Sequence, residues 1–174
     1  MNALIIYPEF PKTFWSFTNF LKTVSNKPVL APKELLKTSI LLPITWERKL
    51  IDLNSEKLKK SDILWADYIF ISAKEEQIKS TFKFIERCKL LGKKIVGTGS
   101  LFNDIFEEFE QVDNLILDDM RITLPLFIND IENKKTKKIY HSNPFFEIRK
   151  FTESYYSLTS FSDSFPQNIQ MSFA

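Results

Sequence analysis

The sequence predicts an α/β fold with a doubly wound, mostly parallel sheet of five strands. Short apolar runs recur along the 174 residues, and the segments between them carry apolar side chains at helical spacing. Strands that alternate with helices pair in parallel, because each helix returns the chain over the sheet by a right-handed connection. The runs show little polar alternation, which is typical of strands buried on both faces.

The predicted strands lie, in chain order, at residues 3–7, 49–53, 68–72, 94–97 and 114–118. Apolar side chains at three- and four-residue steps predict helices between them. These stripes are Phe14, Phe17, Leu21 and Val24, then Ile78, Phe82, Ile85 and Cys88, and then Leu124, Phe127 or Ile128, and Ile131. A further helix is predicted at residues 34–42, because Pro32 precedes this segment and Pro43 ends it.

The pattern weakens after Ile131. The sequence becomes rich in Lys and then in Ser, Phe and Tyr, without a sustained period. We therefore predict a domain at residues 1–132 and an irregular C-terminal extension at residues 133–174.

Composition excludes several kinds of site. A single cysteine, Cys88, cannot form a disulfide framework, a four-cysteine zinc site or a cysteine-ligated iron–sulfur cluster. The only histidine, His141, lies in the extension, so no Ser-His-Asp or Cys-His arrangement is predicted. A net charge of +2 gives no long-range field for nucleic acid. No run approaches the roughly 18 apolar residues of a membrane span, and we expect a cytoplasmic protein with no membrane partner.

Ligands of a sheet of this kind bind beyond the carboxyl ends of its strands. The loop after the first predicted strand is long and aromatic, and Phe10, Phe14 and Trp15 oppose a phosphate-binding loop there. Two of the three glycines, Gly97 and Gly99, follow the fourth strand instead. They predict a close backbone approach, either to a neighbouring helix or to a ligand.

A family resemblance is carried by residues 7–17 (YPEFPKTFWSF), 31–36 (APKELL), 46, 50–54 (LIDLN), 65–73 (WADYIFISA), 97–102 (GTGSLF) and 123–125 (TLP). Together they resemble the N-terminal cobalamin-binding domain of cobalamin-dependent radical S-adenosylmethionine proteins. Residues 168–173 are similar to the strand that enters the radical barrel of that family. The resemblance covers nearly the whole chain.

The resemblance implies a Rossmann-like, flavodoxin-like domain that holds cobalamin at the carboxyl ends of its strands. The aromatic first loop would form a wall for this large cofactor, and Asp52, Asn54, Ser72 and Gln77 would supply polar contacts. The implied cofactor-binding residues are Pro8, Glu9, Thr13, Phe14, Trp15, Ser16, Leu35, Asp52, Asn54, Ser72, Ala73, Gln77, Gly97, Gly99 and Ser100.

Charged residues depart from the family pattern in the ligand-side loops. The family type Ser-Ala-Met-Ile-Val-Gln stands here as residues 72–77 (SAKEEQ), and Pro-Leu-Gly-Leu-Leu stands as residues 32–36 (PKELL). Burying an unpaired carboxylate against an apolar cofactor costs several kcal/mol. We therefore predict that Glu34, Lys74 and Glu76 face solvent.

Two functional hypotheses follow. In the first, this is a cobalamin-binding domain, stand-alone or part of a longer enzyme, whose partners are a corrinoid and a separate radical barrel protein. In the second, it is a degenerate domain that has lost the cofactor and acts as a protein-interaction or regulatory module. Neither has a self-contained catalytic site, because one cysteine cannot hold the iron–sulfur cluster of the parent family.

Overall fold

A single parallel sheet of six strands organises the protein. The computed structural model describes residues 1–11 and 32–142. The strands are Asn2–Tyr7 (β1), Glu47–Asp52 (β2), Tyr68–Ser72 (β3), Lys94–Thr98 (β4), Asn114–Ile116 (β5) and Ile139–Tyr140 (β6). They lie in the order β2-β1-β3-β4-β5-β6, and every neighbouring pair is parallel.

Helices cover both faces of this sheet. They are Lys33–Leu41 (α1), Lys60–Trp65 (α2), Ile78–Leu90 (α3), Ser100–Asp104 (α4) and Met120–Glu132 (α5), with 3₁₀ turns at Glu75–Gln77 and Phe106–Glu108. Each long helix buries one apolar stripe, as an amphipathic helix on a sheet must. In α3 the buried side chains are Thr81, Phe84, Ile85 and Cys88.

Two apolar cores result, because successive side chains of a strand point to opposite faces. On one face, Ile5 and Phe70 pack with Leu35 of α1 and Phe127 of α5. On the other face, Ile6 and Ile71 pack with side chains from α2, α3 and α4. The described domain is therefore a three-layer α/β/α sandwich.

The α/β class and the five predicted strands are confirmed, each within a few residues. The sheet is wholly parallel and gains a sixth strand, β6, that the sequence pattern did not indicate. Ile139 and Tyr140 form only a two-residue strand after a lysine-rich stretch, which is too short to show a period. The helix predicted around Phe14–Val24 lies outside the described residues.

The strand β6 stands in the segment assigned to the C-terminal extension. A compact unit runs from Met1 to His141, past the boundary expected at residue 132. The two-region division remains a prediction, since residues 143–174 lie outside the described part of the chain. No helix in residues 1–11 and 32–142 is long and apolar enough to cross a membrane.

Candidate functional site

The strand order defines where a ligand site belongs. From β1 the chain moves to β2 on one side, and it then returns to β3 on the other side of β1. In sheets with this strand order, the loops that leave β1 and β3 are where a ligand binds. Residues 8–11 and 73–77 are the described parts of these loops, and we call this place the switch-point site.

The carbonyl oxygen of Pro8 ties together the three strand ends at this site. The Asn54 amide beyond β2 donates to it at 3.0 Å, and the Gln77 amide beyond β3 donates to it from the other side. The Asn54 amide also donates to an Asp52 carboxylate oxygen at 2.6 Å. These amides thus shape the loops, and their donors are directed at the protein itself.

The rest of the first loop is held in the same manner. The amide N–H of Phe10 donates to the Asn54 side-chain oxygen at 2.8 Å. The Ser80 hydroxyl donates to the Glu9 carbonyl at 2.6 Å. The Phe10 ring also meets the Tyr7 ring edge-to-face, with centroids 5.7 Å apart. The chain therefore leaves β1 along a defined path.

Ser72, the last residue of β3, carries an unsatisfied hydroxyl. Its side chain is fully buried, and its Oγ has no hydrogen-bond partner among the residues that the structure describes. Strand alternation directs it to the same face as Phe70, which is the face covered by α1 and α5. A buried hydroxyl without a partner is uncommon and costly, so this one marks a place where a polar ligand group could complete the site.

Two further hydroxyls lie beside Ser72 on that face. Thr98 pairs with Ser72 across β3 and β4, and its hydroxyl donates to the Ile71 carbonyl at 3.3 Å. Tyr7 follows Ile6, which pairs with Ile71, so Tyr7 stands level with Ser72 at the end of β1. Ser72 was among the predicted cofactor-binding residues, whereas Tyr7 and Thr98 were not. The signal available was that all three residues end adjacent parallel strands.

The two glycines beyond β4 are explained by packing within the protein. A Cβ atom on Gly97 would lie 2.7 Å from the Phe102 ring and 2.9 Å from the Leu115 side chain. Gly99 has φ of +98°, and its Cβ would lie 2.5 Å from the Ala73 carbonyl oxygen. Of the two readings left open above, close approach to other parts of the chain therefore accounts for both positions.

Charge at the site comes from both loops and from α1. The Lys74 ammonium lies 3.5 Å from a Glu34 carboxylate oxygen, and the two side chains are 44% and 36% exposed. Burial raises the pKa of the Tyr7 hydroxyl, and the negative charges of Glu34, Asp52 and Glu76 raise it further. Three anionic side chains and one cation, Lys74, therefore lie around the end of β1.

Glu75 belongs to the same acidic surroundings. A hydrogen bond to the Asp104 carboxyl raises the pKa of Glu75, and repulsion between the two negative charges adds to this effect. The prediction that Glu34, Lys74 and Glu76 face solvent is confirmed in that none is buried: Glu76 is exposed, and the other two are partly exposed.

The structure brings together only part of the predicted binding set. Pro8, Asp52, Asn54, Ser72, Ala73 and Gln77 meet at the switch-point site, whereas Leu35 is buried beneath the first turn of α1. Glu9 and Ser100 are exposed at the same edge of the sheet. Thr13, Phe14, Trp15 and Ser16 lie outside the described residues. For all of these residues, contact with a cofactor remains a prediction.

Three cavities lined by described residues lie elsewhere. The one between Lys89, Glu110 and Lys138 has a volume of about 540 Å³ and opens near the amino end of β5. Its cations already have partners: Lys89 pairs with Asp113 at 2.7 Å, and the Lys138 ammonium donates to the Glu110 carbonyl at 2.7 Å. Within residues 1–11 and 32–142, no group of three or more His, Cys, Asp or Glu side chains could hold a metal ion.

The fold places the protein in a broad class, the α/β domains with flavodoxin-like strand order, in which ligands bind at the β1/β3 switch point. Among curated proteins, the chain is 36% identical over 141 residues to a protein of Synechocystis sp. described as an uncharacterized methyltransferase. The match covers 80% of this chain and 26% of the relative, so the chain spans about a quarter of that protein's length. No protein-family profile and no solved structure matches the chain.

Proposed function

We propose that this chain is a corrinoid-binding domain that works with a methyltransferase, and that it holds cobalamin at the switch-point site. One observation carries the proposal: the buried Ser72 hydroxyl has no partner in residues 1–11 and 32–142, and it lies where strand order of this kind places a ligand. The resemblance of the sequence to cobalamin-binding domains supports the identity of the ligand. The relative described as a methyltransferase supports the reaction class.

The residues at the site fit a corrinoid better than a phosphate-rich cofactor. Glu34, Asp52 and Glu76 give the end of β1 a negative potential, which disfavours a ligand that carries several phosphates. A corrinoid is a large macrocycle with peripheral amides and a single phosphate. The Ser72 hydroxyl would contact one of its polar groups, and the exposed Ser100 hydroxyl at the same edge offers a second contact.

A bound corrinoid would supply a cobalt centre that accepts and donates a methyl group. The described residues would bind and orient it: the Asn54 and Gln77 amides fix the first loop by donating to the Pro8 carbonyl, and the Ser72 hydroxyl at the end of β3 would contact the ligand. Substrate binding and catalysis would belong to another domain or to a partner, such as the radical barrel implied by the resemblance, because this sequence has a single cysteine.

A cofactor-free interaction module is the second candidate. It is favoured because several residues predicted to contact a cofactor contact the protein itself. The Asn54 and Gln77 amides donate to the backbone. The space beside Gly97 and Gly99 is filled by Phe102, Leu115 and Ala73. In this case the Ser72 hydroxyl would be a relic of the lost site.

Titration of the full chain with hydroxocobalamin and methylcobalamin separates the two candidates. Saturable change in the visible spectrum, with a dissociation constant of about 10 µM or tighter, is expected for a corrinoid domain. Ser72→Ala should weaken this binding about tenfold, because a hydrogen bond to the buried hydroxyl is lost. Ser61→Ala is the matched control, since it removes an exposed hydroxyl from α2, and it should leave the affinity unchanged.

Flavin mononucleotide serves as the competing ligand in the same assay. We expect no binding, because its terminal phosphate monoester carries more negative charge than the phosphodiester of a corrinoid and would meet the acidic end of β1. Absence of corrinoid binding up to about 100 µM would reject the proposal in favour of the interaction module. Equal affinities for wild type and Ser72→Ala would remove the observation on which the proposal rests.

A further inference from the structure

The first turn of α1 covers the switch-point site. Leu35 packs in the same core as Tyr7 and Phe70 and is only 1% exposed. Its neighbour Glu34 lies close enough to Tyr7 to raise the pKa of that hydroxyl, and it pairs with Lys74, two residues beyond Ser72. The start of α1 therefore spans from the end of β1 to the loop after β3.

A ligand cannot reach Ser72 in this arrangement. The Ser72 side chain is fully buried, although its hydroxyl has no partner in the described part of the chain. A ligand can therefore form a hydrogen bond with Ser72 only after the first turn of α1 has moved. The Glu34–Lys74 ion pair joins the first turn of α1 to the loop after β3. Because both side chains are partly exposed, this contact is sensitive to salt.

We propose that the Glu34–Lys74 ion pair is a latch that holds the start of α1 over Ser72 and so regulates access to the switch-point site. Its role in ligand entry rests on the function proposed above. Both charges stand where the resembling family type has uncharged residues, glycine at position 34 and methionine at position 74. The two charged residues therefore form a single contact with each other.

The two ends of α1 are held by different contacts, so the first turn can move without the rest of the helix. The start of α1 has no side-chain cap, and the Leu35 and Leu36 N–H groups donate to the Pro32 carbonyl at 3.0 and 3.3 Å. The end of α1 is fixed separately, by Arg48 donors on the carbonyls of Ser39 and Pro43, both at 2.7 Å. Opening of the latch can therefore release the first turn while the rest of α1 stays on the sheet.

Thiol labelling measures this opening without any cofactor. The Ser72→Cys variant places a thiol under the latch, and the natural Cys88 lies buried in the opposite core as an internal reference for global unfolding. Burial raises the pKa of the Cys88 thiol to about 12, so it stays unreactive until the domain unfolds. We expect the introduced thiol to react with an aromatic disulfide reagent much faster than Cys88 does.

The latch is tested by neutralising its charges in the Ser72→Cys background. Lys74→Met and Glu34→Gln should each speed labelling at position 72 by about two- to fivefold, the range for a partly exposed ion pair. The double variant should be no faster than either single one, because only one interaction is lost. Lys74→Arg should keep the slow rate, and Glu76→Gln, an equal charge change outside the pair, serves as the control.

Salt provides an independent arm. Raising sodium chloride from about 0.05 to 0.5 M should speed labelling when the pair is present and have no effect in the Lys74→Met background. Should the Ser72→Cys variant fail to fold, deuterium exchange at the start of α1 replaces labelling: exchange there should rise in Lys74→Met relative to wild type, while the end of α1 stays unchanged.

The outcomes separate the latch from the proposed function. Equal labelling in all variants, or labelling at position 72 only as fast as at Cys88, would overturn the latch. Faster labelling without any hydroxocobalamin binding would support the latch and reject the corrinoid. If both hold, Lys74→Met should raise the association rate constant of hydroxocobalamin by the same two- to fivefold as the labelling rate.

Discussion

Gly99→Ala tests whether the glycines beyond β4 serve the fold itself. Gly99 has φ of 98° and ψ of 177°, a conformation open essentially to glycine alone. An alanine there has a strained backbone, and its Cβ would also stand 2.5 Å from the Ala73 carbonyl oxygen. That carbonyl accepts a hydrogen bond from the Leu101 N–H at 3.2 Å, and the Ala73 N–H donates to the Thr98 carbonyl at 3.0 Å. The clash cannot relax without disturbing this backbone pairing.

The expected loss of stability follows from these two effects. Backbone strain in this region costs about 1–3 kcal/mol, and weakening one of the hydrogen bonds adds about 1 kcal/mol. Gly99→Ala should therefore lower the free energy of unfolding by about 3 kcal/mol. With a urea dependence of about 2 kcal/mol per molar, the unfolding midpoint should fall by about 1.5 M.

Gly92→Ala is the matched control. Gly92 also has a positive φ, of 63°, but nothing lies within 4 Å of an added Cβ. It should lose only about 1 kcal/mol, the cost of a left-handed alanine. Both variants would be measured by urea unfolding followed by circular dichroism. Equal losses for the two would refute the argument, because they would show that contact with Ala73 contributes nothing.

Three further predictions concern other parts of the molecule. Arg48→Met should destabilise the protein by about 2 kcal/mol in urea unfolding, because the Arg48 guanidinium donates to the carbonyls of Ser39, Leu42 and Pro43. Arg48→Lys should recover less than half of this loss. Full recovery by lysine would show that charge alone matters. Stability should fall as pH rises from about 9 toward 12, since burial raises the pKa of the Cys88 thiol to about 12 and the unfolded chain therefore loses this proton first. The pKa of Tyr140 is also raised to about 12, mainly by burial, and acts with the same sign, so Cys88→Ala should flatten only part of the alkaline loss; an unchanged profile would contradict the assignment. Trp15→Ala should weaken corrinoid binding and leave the unfolding midpoint unchanged, and an unaltered affinity would exclude the first loop from the binding surface.

The sequence predicted the layered architecture because that architecture depends on local pattern. Runs such as Ile69-Phe70-Ile71 are apolar on both faces, and only a strand between two helix layers buries both. Helix α1 was placed within a residue of its observed ends by the two flanking prolines. Strand β6 was not predicted because it depends on the pairing of Ile139 and Tyr140 with β5. A contact between distant segments leaves no periodic pattern in the local sequence.

The site was less predictable because it depends on distances between loops. The sequence named Asn54 and Gln77 as polar contacts for a ligand, whereas both amides bind the Pro8 carbonyl across more than forty positions of chain. It also left the purpose of Gly97 open, since the neighbour that fills the space, Phe102, is defined only by the packing of α4. The charges at positions 34 and 74 could be recognised as unusual, but their pairing could not.

The two borders of the sheet bear on how the domain behaves beside other chains. At one border, β2 carries the exposed side chains Glu47 and Lys49, and no other described strand pairs with its outer side. Charged side chains on such a border oppose the docking of a foreign strand, which would have to bury them. At the other border, β6 offers only two residues, too few to template an added strand. For the sheet that residues 1–11 and 32–142 form, extension by a strand of another copy is therefore disfavoured at both borders.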